Sequence, residues 1–148
     1  MNTPKIKMLV LSLTGQCNFA CKYCYAAEHD GSMLKVDDAI KAVDLAAVSG
    51  EKFVIQFSGG EPLLYPQIVP LLNALGGKYN IRINTNGLFL DKYLTAFLNV
   101  QNLKIQISLD GYDSDTFFAV RNNFNFEKII QNAKLAHDAG SVSYTHLR

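Results

Sequence analysis

The chain has 148 residues, 49% of them hydrophobic, with 14 Lys and Arg against 13 Asp and Glu for a net charge of +1. That length allows one domain with a real core but not two, and the near-neutral balance carries no footprint of a nucleic-acid or membrane-surface partner. No apolar run is long enough to span a bilayer and no signal peptide opens the chain, so a cytoplasmic location is expected.

In chain order, Lys5–Leu13 (KIKMLVLSL) is rich in β-formers and reads as a buried strand. Asp37–Ser49 reads as a helix: Asp37 is placed to cap it, Ala39, Ile40, Val43 and Ala47 share a face, and Gly50 follows its end. Phe53–Phe57 (FVIQF) is a second strand, and Gln67–Leu75 a second helix with Pro66 near its start. Pro70 lacks a donor and would push that start later. Ile81–Asn84 is a third strand, Lys92–Leu98 a third helix opened by Asp91, and Lys104–Leu109 (KIQISL) a fourth strand. Phe126–Ala139 is a fourth helix behind a capping Asn125, with Gly140 past its end. Such alternation implies an α/β fold with a parallel sheet and right-handed crossovers. The closing octapeptide Ser141–Arg148 (SVSYTHLR) resembles the translation of a transposon-end adapter used in sequencing libraries. Residues 1–140 are therefore expected to be the domain and 141–148 a processing scar, with a native fifth strand as the alternative.

Ligands of α/β sheets bind beyond the carboxyl ends of the strands, and each distinctive motif of this chain falls at such an end. A cysteine loop follows the first strand, SGGEP (Ser58–Pro62) the second, NTNG (Asn84–Gly87) ends the third, and SLDG (Ser108–Gly111) ends the fourth. Four otherwise unrelated loops thus converge on one rim.

The cysteine loop, CNFACKYCY, holds all three cysteines of the chain, Cys17, Cys21 and Cys24, spaced C-x3-C-x2-C. An odd, clustered set argues against a disulfide framework and for a reducing compartment. Three thiolates are one ligand too few for a four-iron cluster, so one iron would stay open for a substrate or cofactor. A Cys3His zinc site using His29 is the rival reading, but it explains none of the other rim motifs. In SGGEP, Gly59 and Gly60 let the backbone approach a ligand closely or take positive φ, Glu61 offers a carboxylate to a cationic group, and Pro62 stiffens the exit. NTNG and SLDG are turn signals wherever they occur. The Phe117, Phe118, Phe124 and Phe126 group reads as packing, and His137 as a surface residue of the last helix.

The cysteine spacing with Tyr23 just before the last cysteine, together with SGGEP and ISLDG, resembles the signature of the radical S-adenosylmethionine (radical SAM) enzymes. The resemblance runs over nearly all of Lys5 to Gly140 and implies a parallel (β/α) partial barrel, of which about four βα units are visible here. It implies a [4Fe–4S] cluster on Cys17, Cys21 and Cys24, with SAM chelating the open iron through its amino and carboxylate groups. Gly59, Gly60 and Glu61 are then expected to contact the SAM amino group, and Ser108 its ribose or carboxylate. Thr85, Asn86 and Asp110 are expected to line the SAM or substrate space. Tyr23 matches the family position whose backbone carbonyl reads the adenine amino group. Arg121 sits where many relatives carry an arginine that reaches the SAM carboxylate, although relatives often read Arg-Gly and this chain reads RNNFNF.

The chemistry so implied is reductive cleavage of SAM to methionine and a 5′-deoxyadenosyl radical that abstracts hydrogen from a substrate, with electrons from a donor such as flavodoxin or ferredoxin. The pairing of CNFACKYCY with SGGEP and ISLDG looks like the branch that modifies peptides and proteins. Many members of that branch carry a C-terminal cysteine-rich (SPASM) domain. A small-molecule enzyme of cofactor biosynthesis is the alternative within the family, and a non-catalytic zinc or iron–sulfur module the alternative outside it.

Overall fold

The computed structural model describes residues 5–25 and 29–140, and the backbone of 142–147. Five strands, β1 (Met8–Thr14), β2 (Val54–Gly59), β3 (Asn80–Thr85), β4 (Leu103–Leu109) and β5 (Val142–Leu147), form one sheet in sequence order. All four neighbouring pairs run parallel. Between them lie α1 (Val36–Ala47), α2 (Ile68–Leu75), α3 (Leu90–Leu98), α4 (Ser114–Arg121) and α5 (Phe126–Asp138), with a 3-10 turn at Pro62–Leu64. This is the expected α/β arrangement of a (β/α) partial barrel. The octapeptide at the end of the chain contributes the backbone of β5, next to β4.

The two faces of the sheet differ as period-two alternation requires. Ile55, Phe57, Ile81, Ile83, Ile105 and Ile107 are buried against the helices, in one core with Val43, Leu71, Leu72, Phe97 and Ile129. The alternate residues point to the helix-free face. Register aligns them in rows across the strands: Val10, Gln56, Arg82 and Lys104 form one row, with Ser12 and Ser58 in the next row up.

Several boundaries differ from the sequence expectations for local reasons. The first strand begins only at Met8; Lys5–Lys7 are exposed and precede the paired residues, with the Lys7 carbonyl accepting from Val54 N–H at 3.1 Å. The N-cap of α1 is Lys35, not Asp37; Asp37 and Asp38 lie in the first turn, where negative charge suits the helix dipole. α2 starts at Ile68, and Pro70 sits in its first turn, where its missing N–H is not needed. α3 starts behind Phe89, two residues earlier than Asp91 suggests. Asn125 is the N-cap of α5 but makes no side-chain capping bond.

Helix α4 was not anticipated at all. Its apolar periodicity is too short to stand out, but Asp113 and Thr116 form a reciprocal capping box at its start, and Asn122 closes it in the left-handed conformation at φ 52°. The Asp113-x-x-Thr116 pair is the only mark of this helix start in the sequence, and it departs from the usual Glu or Gln at the last position. Phe117 and Phe126 are buried as expected, whereas Phe124 is exposed and stacks on Phe118.

Candidate active site

The upper end of the helix-free face opens into a cavity of about 210 Å³. Cys17, Cys21 and Cys24 border it from the loop after β1, and Ser58, Gly59, Gly60 and Glu61 from the end of β2. Asn84, Thr85 and Asn86 close it from β3, and Ser108 from β4. Phe19, Tyr23, Tyr25 and Arg121 complete the wall. All four rim motifs thus share one space. Of the residues expected to hold the cluster or line the SAM space, Asp110 alone is not in the cavity wall; it lies buried behind it.

The glycines serve chain-to-chain contact before any ligand. Gly60 N–H donates to Thr14 O at 2.8 Å and Glu61 N–H to Gln16 O at 2.8 Å, which seats the second loop directly on the first. A Cβ on Gly60 would stand 2.2 Å from Gln16 O, and one on Gly59, whose φ is 125°, 2.5 Å from Thr14 O. The close backbone approach expected of these residues is therefore made to β1 and its loop.

Glu61 is buried, and its carboxylate already accepts three bonds. Oε1 takes Leu63 N–H at 3.0 Å and Thr85 Oγ1–H at 2.5 Å, and Oε2 takes Asn86 N–H at 2.8 Å. Burial raises its pKa above the ordinary carboxylate range, and these donors work against that rise. One carboxylate thus ties the end of β2 to the end of β3. Glu61→Gln replaces one of the two accepting oxygens with an amide that cannot take the backbone N–H of Leu63 or Asn86 facing it, and should lower the unfolding free energy by about 1–3 kcal/mol in urea denaturation.

The NTNG turn is held from the other side by Asn132 of α5, whose Nδ2 donates to Gly87 O and Leu88 O, both at 2.9 Å. Asn18 Oδ1 accepts from Asn86 Nδ2 at 2.8 Å, linking that turn to the cysteine loop. Sequence reading missed Asn18, Asn132 and the cavity residue Phe19; a lone asparagine or phenylalanine carries no spacing signal.

The cysteine loop is clamped by α4. Lys22 N–H donates to Val120 O at 3.1 Å, Phe19 meets Phe117 edge to face, and Arg121 Nη1 lies 3.6 Å from Cys21 Sγ. The Arg121 guanidinium is buried and pairs through Nη2 with Asp110 Oδ2 at 2.6 Å; the same oxygen accepts from the Tyr23 hydroxyl at 2.5 Å. Arg121 also lies over the Tyr23 ring. Burial, then the Asp110 hydrogen bond, pushes the Tyr23 phenol far above its usual range, so it stays a donor. Arg121 and Tyr23, each expected as a SAM contact, are joined by Asp110 into one unit beside Cys21.

The donor set fits an iron–sulfur cluster. The three thiols are free and half-buried in one cavity, and burial chiefly holds the Cys17 thiol above its ordinary pKa. Zinc needs its ligands around a single point, whereas a cluster takes them one per iron. Among the described residues, no three of His, Cys, Asp or Glu converge on a single metal position. The cavity also holds an acceptor without a partner in the protein, the buried Asn84 Oδ1, suited to a ligand donor such as an amino group.

Residues 11–147 match the family model of the Radical SAM superfamily. The GTP 3',8-cyclase of Psychromonas ingrahamii is 30% identical over 143 residues, taking in 92% of this chain and 42% of that protein. Molybdenum cofactor biosynthesis protein 1 of Dictyostelium discoideum is 34% identical over 133 residues, 84% of this chain and 21% of that protein. The chain therefore spans less than half the length of these curated relatives. Among solved structures, SuiB of Streptococcus suis bound to the precursor peptide SuiA superposes with a TM-score of 0.82 at 21% identity, over 97% of this chain and 33% of that one. At that identity the likeness is one of fold.

Proposed function

The chain belongs to the radical SAM superfamily, and from that premise we propose that it is the cluster-bearing part of an enzyme that opens SAM reductively to act on a small molecule. The observation that carries the reading is the convergence of Cys17, Cys21 and Cys24 with the SGGEP, NTNG and SLDG loops on one cavity. The family's cofactors are a [4Fe–4S] cluster and SAM, and the chemistry they supply together is one-electron cleavage of SAM to methionine and a 5′-deoxyadenosyl radical that takes a hydrogen atom from the substrate.

The protein's part is holding and excluding. Cys17, Cys21 and Cys24 hold the cluster. Asn84 Oδ1 and the backbone of Gly59 and Gly60 meet the amino end of SAM, with Glu61 fixing the loop that carries them. Ser108 meets its ribose or carboxylate, and Thr85 and Asn86 shape the floor. Arg121, anchored by Asp110 and Tyr23, brings positive charge to the wall beside Cys21, where anionic sulfur gathers. Packing of α4 on the cysteine loop keeps water from that side.

The relatives named as GTP 3',8-cyclases and molybdenum cofactor biosynthesis proteins support a small-molecule substrate in cofactor synthesis. The peptide-modifying reading drawn from the motif pairing has the fold likeness to SuiB behind it, which does not reach substrate. Anaerobic reconstitution tests the proposal. About four irons per chain and an EPR signal that changes on adding SAM are expected; stoichiometric zinc in a site that ignores SAM would sink it. We also propose that residues 1–140 are the family core and 141–148 adapter-derived, which resequencing the source DNA across codon 140 checks: native codons there would give β5 to the protein.

A further inference from the structure

The row of residues below the cavity on the helix-free face carries two like charges side by side. Arg82 and Lys104 are direct register partners on β3 and β4, which sets their backbones only about 4.8 Å apart. Their side chains leave the same face, and Gln56 of β2 stands in the same row beside Arg82. Like charges directly opposite on one sheet face repel. Among the described residues, neither cation has a carboxylate within ion-pair distance. Arg82 is half-buried, so its charge is neither fully solvated nor neutralised.

The position of this pair suits a ligand. Arg82 is two residues before Asn84 on β3, and Lys104 four before Ser108 on β4; both Asn84 and Ser108 line the upper cavity. At about 3.3 Å per residue, the cations lie about 7–13 Å below those residues on the same face. They also border a second cavity, of about 260 Å³, with Val54, Asn80 and Asn102. A molecule reaching from the upper cavity down this face would meet first the amides of Asn84 and Gln106, then the two cations.

We infer that Arg82 and Lys104, assisted by Gln56, hold the anionic oxygens of the substrate, a phosphate or carboxylate group, while the reacting end of that substrate lies at the upper cavity. A planar guanidinium beside an ammonium suits a group with several anionic oxygens: the first binds two of them in a fork, and the second adds charge. The assignment rests on the small-molecule reading above and narrows it to anionic substrates.

The test needs neither cluster nor SAM, so its failure is separable from failure of the proposed function, which the EPR response to SAM decides. The full chain, ¹⁵N-labelled, is titrated at low salt with inorganic pyrophosphate and, separately, with succinate. Saturable shifts are expected at the amides of Gln56, Arg82 and Lys104 with at least one of the two, and which one binds tells phosphate from carboxylate. Arg82→Gln should weaken that binding about ten-fold or more and Lys104→Gln several-fold, each removing a charged donor. Lys41→Gln on α1 should leave it unchanged. The amide spectrum of each variant shows whether it is folded. Absence of saturable binding by both anions, or binding that ignores the Arg82 and Lys104 substitutions in folded protein, overturns the inference.

Discussion

Cys21→Ala is expected to abolish cluster assembly, with iron after anaerobic reconstitution falling from about four per chain to background. Two thiolates cannot hold a cube that already lacks its fourth protein ligand. Cys21 is also the cysteine nearest the Arg121 guanidinium, at 3.6 Å from Nη1, so the substitution leaves that buried charge facing an empty space. The matched control is His29→Ala. His29 is exposed and does not border the cavity, so iron content and the charge-transfer absorption of the reconstituted chain should not change. Loss of iron in His29→Ala, with zinc displacing it in the parent, would mean that the three thiols serve a Cys3His site.

The second large effect is expected from Gly60→Ala. The added methyl would stand 2.2 Å from Gln16 O and 2.6 Å from Gln16 C, both backbone atoms with no rotamer to escape into. The loops after β1 and β2 must then separate, and the pair of 2.8 Å bonds from Gly60 N–H and Glu61 N–H goes with them. Overpacking of this kind costs about 1–3 kcal/mol, before the loss of the two hydrogen bonds is counted. Urea denaturation of the metal-free chain should show the drop, and reconstitution should yield less cluster because the cysteine loop has lost its neighbour. An unchanged midpoint would mean that the loops are not seated on each other as described. Ala at Gly31, where nothing lies within 4 Å of the added methyl, is the benign comparison.

What could be read from sequence follows from what each signal depends on. The strands were legible because Ile55, Ile81, Ile83, Ile105 and Ile107 are apolar at alternate positions, and burial on one face demands that. The cavity was legible because the motifs sit at strand ends, so topology alone brings them together. α4 was not legible, since eight residues give too few turns for periodicity, and its capping box uses Thr116 where Glu or Gln is the familiar partner. The role of Glu61 as a clasp between β2 and β3 was hidden for a different reason. Its partners Thr85 and Asn86 lie 24 and 25 residues away, and pairing at that range shows only in three dimensions. The same holds for Asp110, whose bond to Tyr23 spans 87 residues.

The clamp of α4 on the cysteine loop also bears on how the protein is made. Cys21 and the arginine that approaches it are 100 residues apart. A ribosome adding about 5–20 residues per second needs about 5–20 s to bring the second out after the first. Through that interval the three thiols have emerged while the helix that packs over them has not yet been synthesised. Oxidation or capture by stray metal is easiest then, so cells with slow translation or poor reducing power should accumulate chains damaged at Cys17, Cys21 and Cys24.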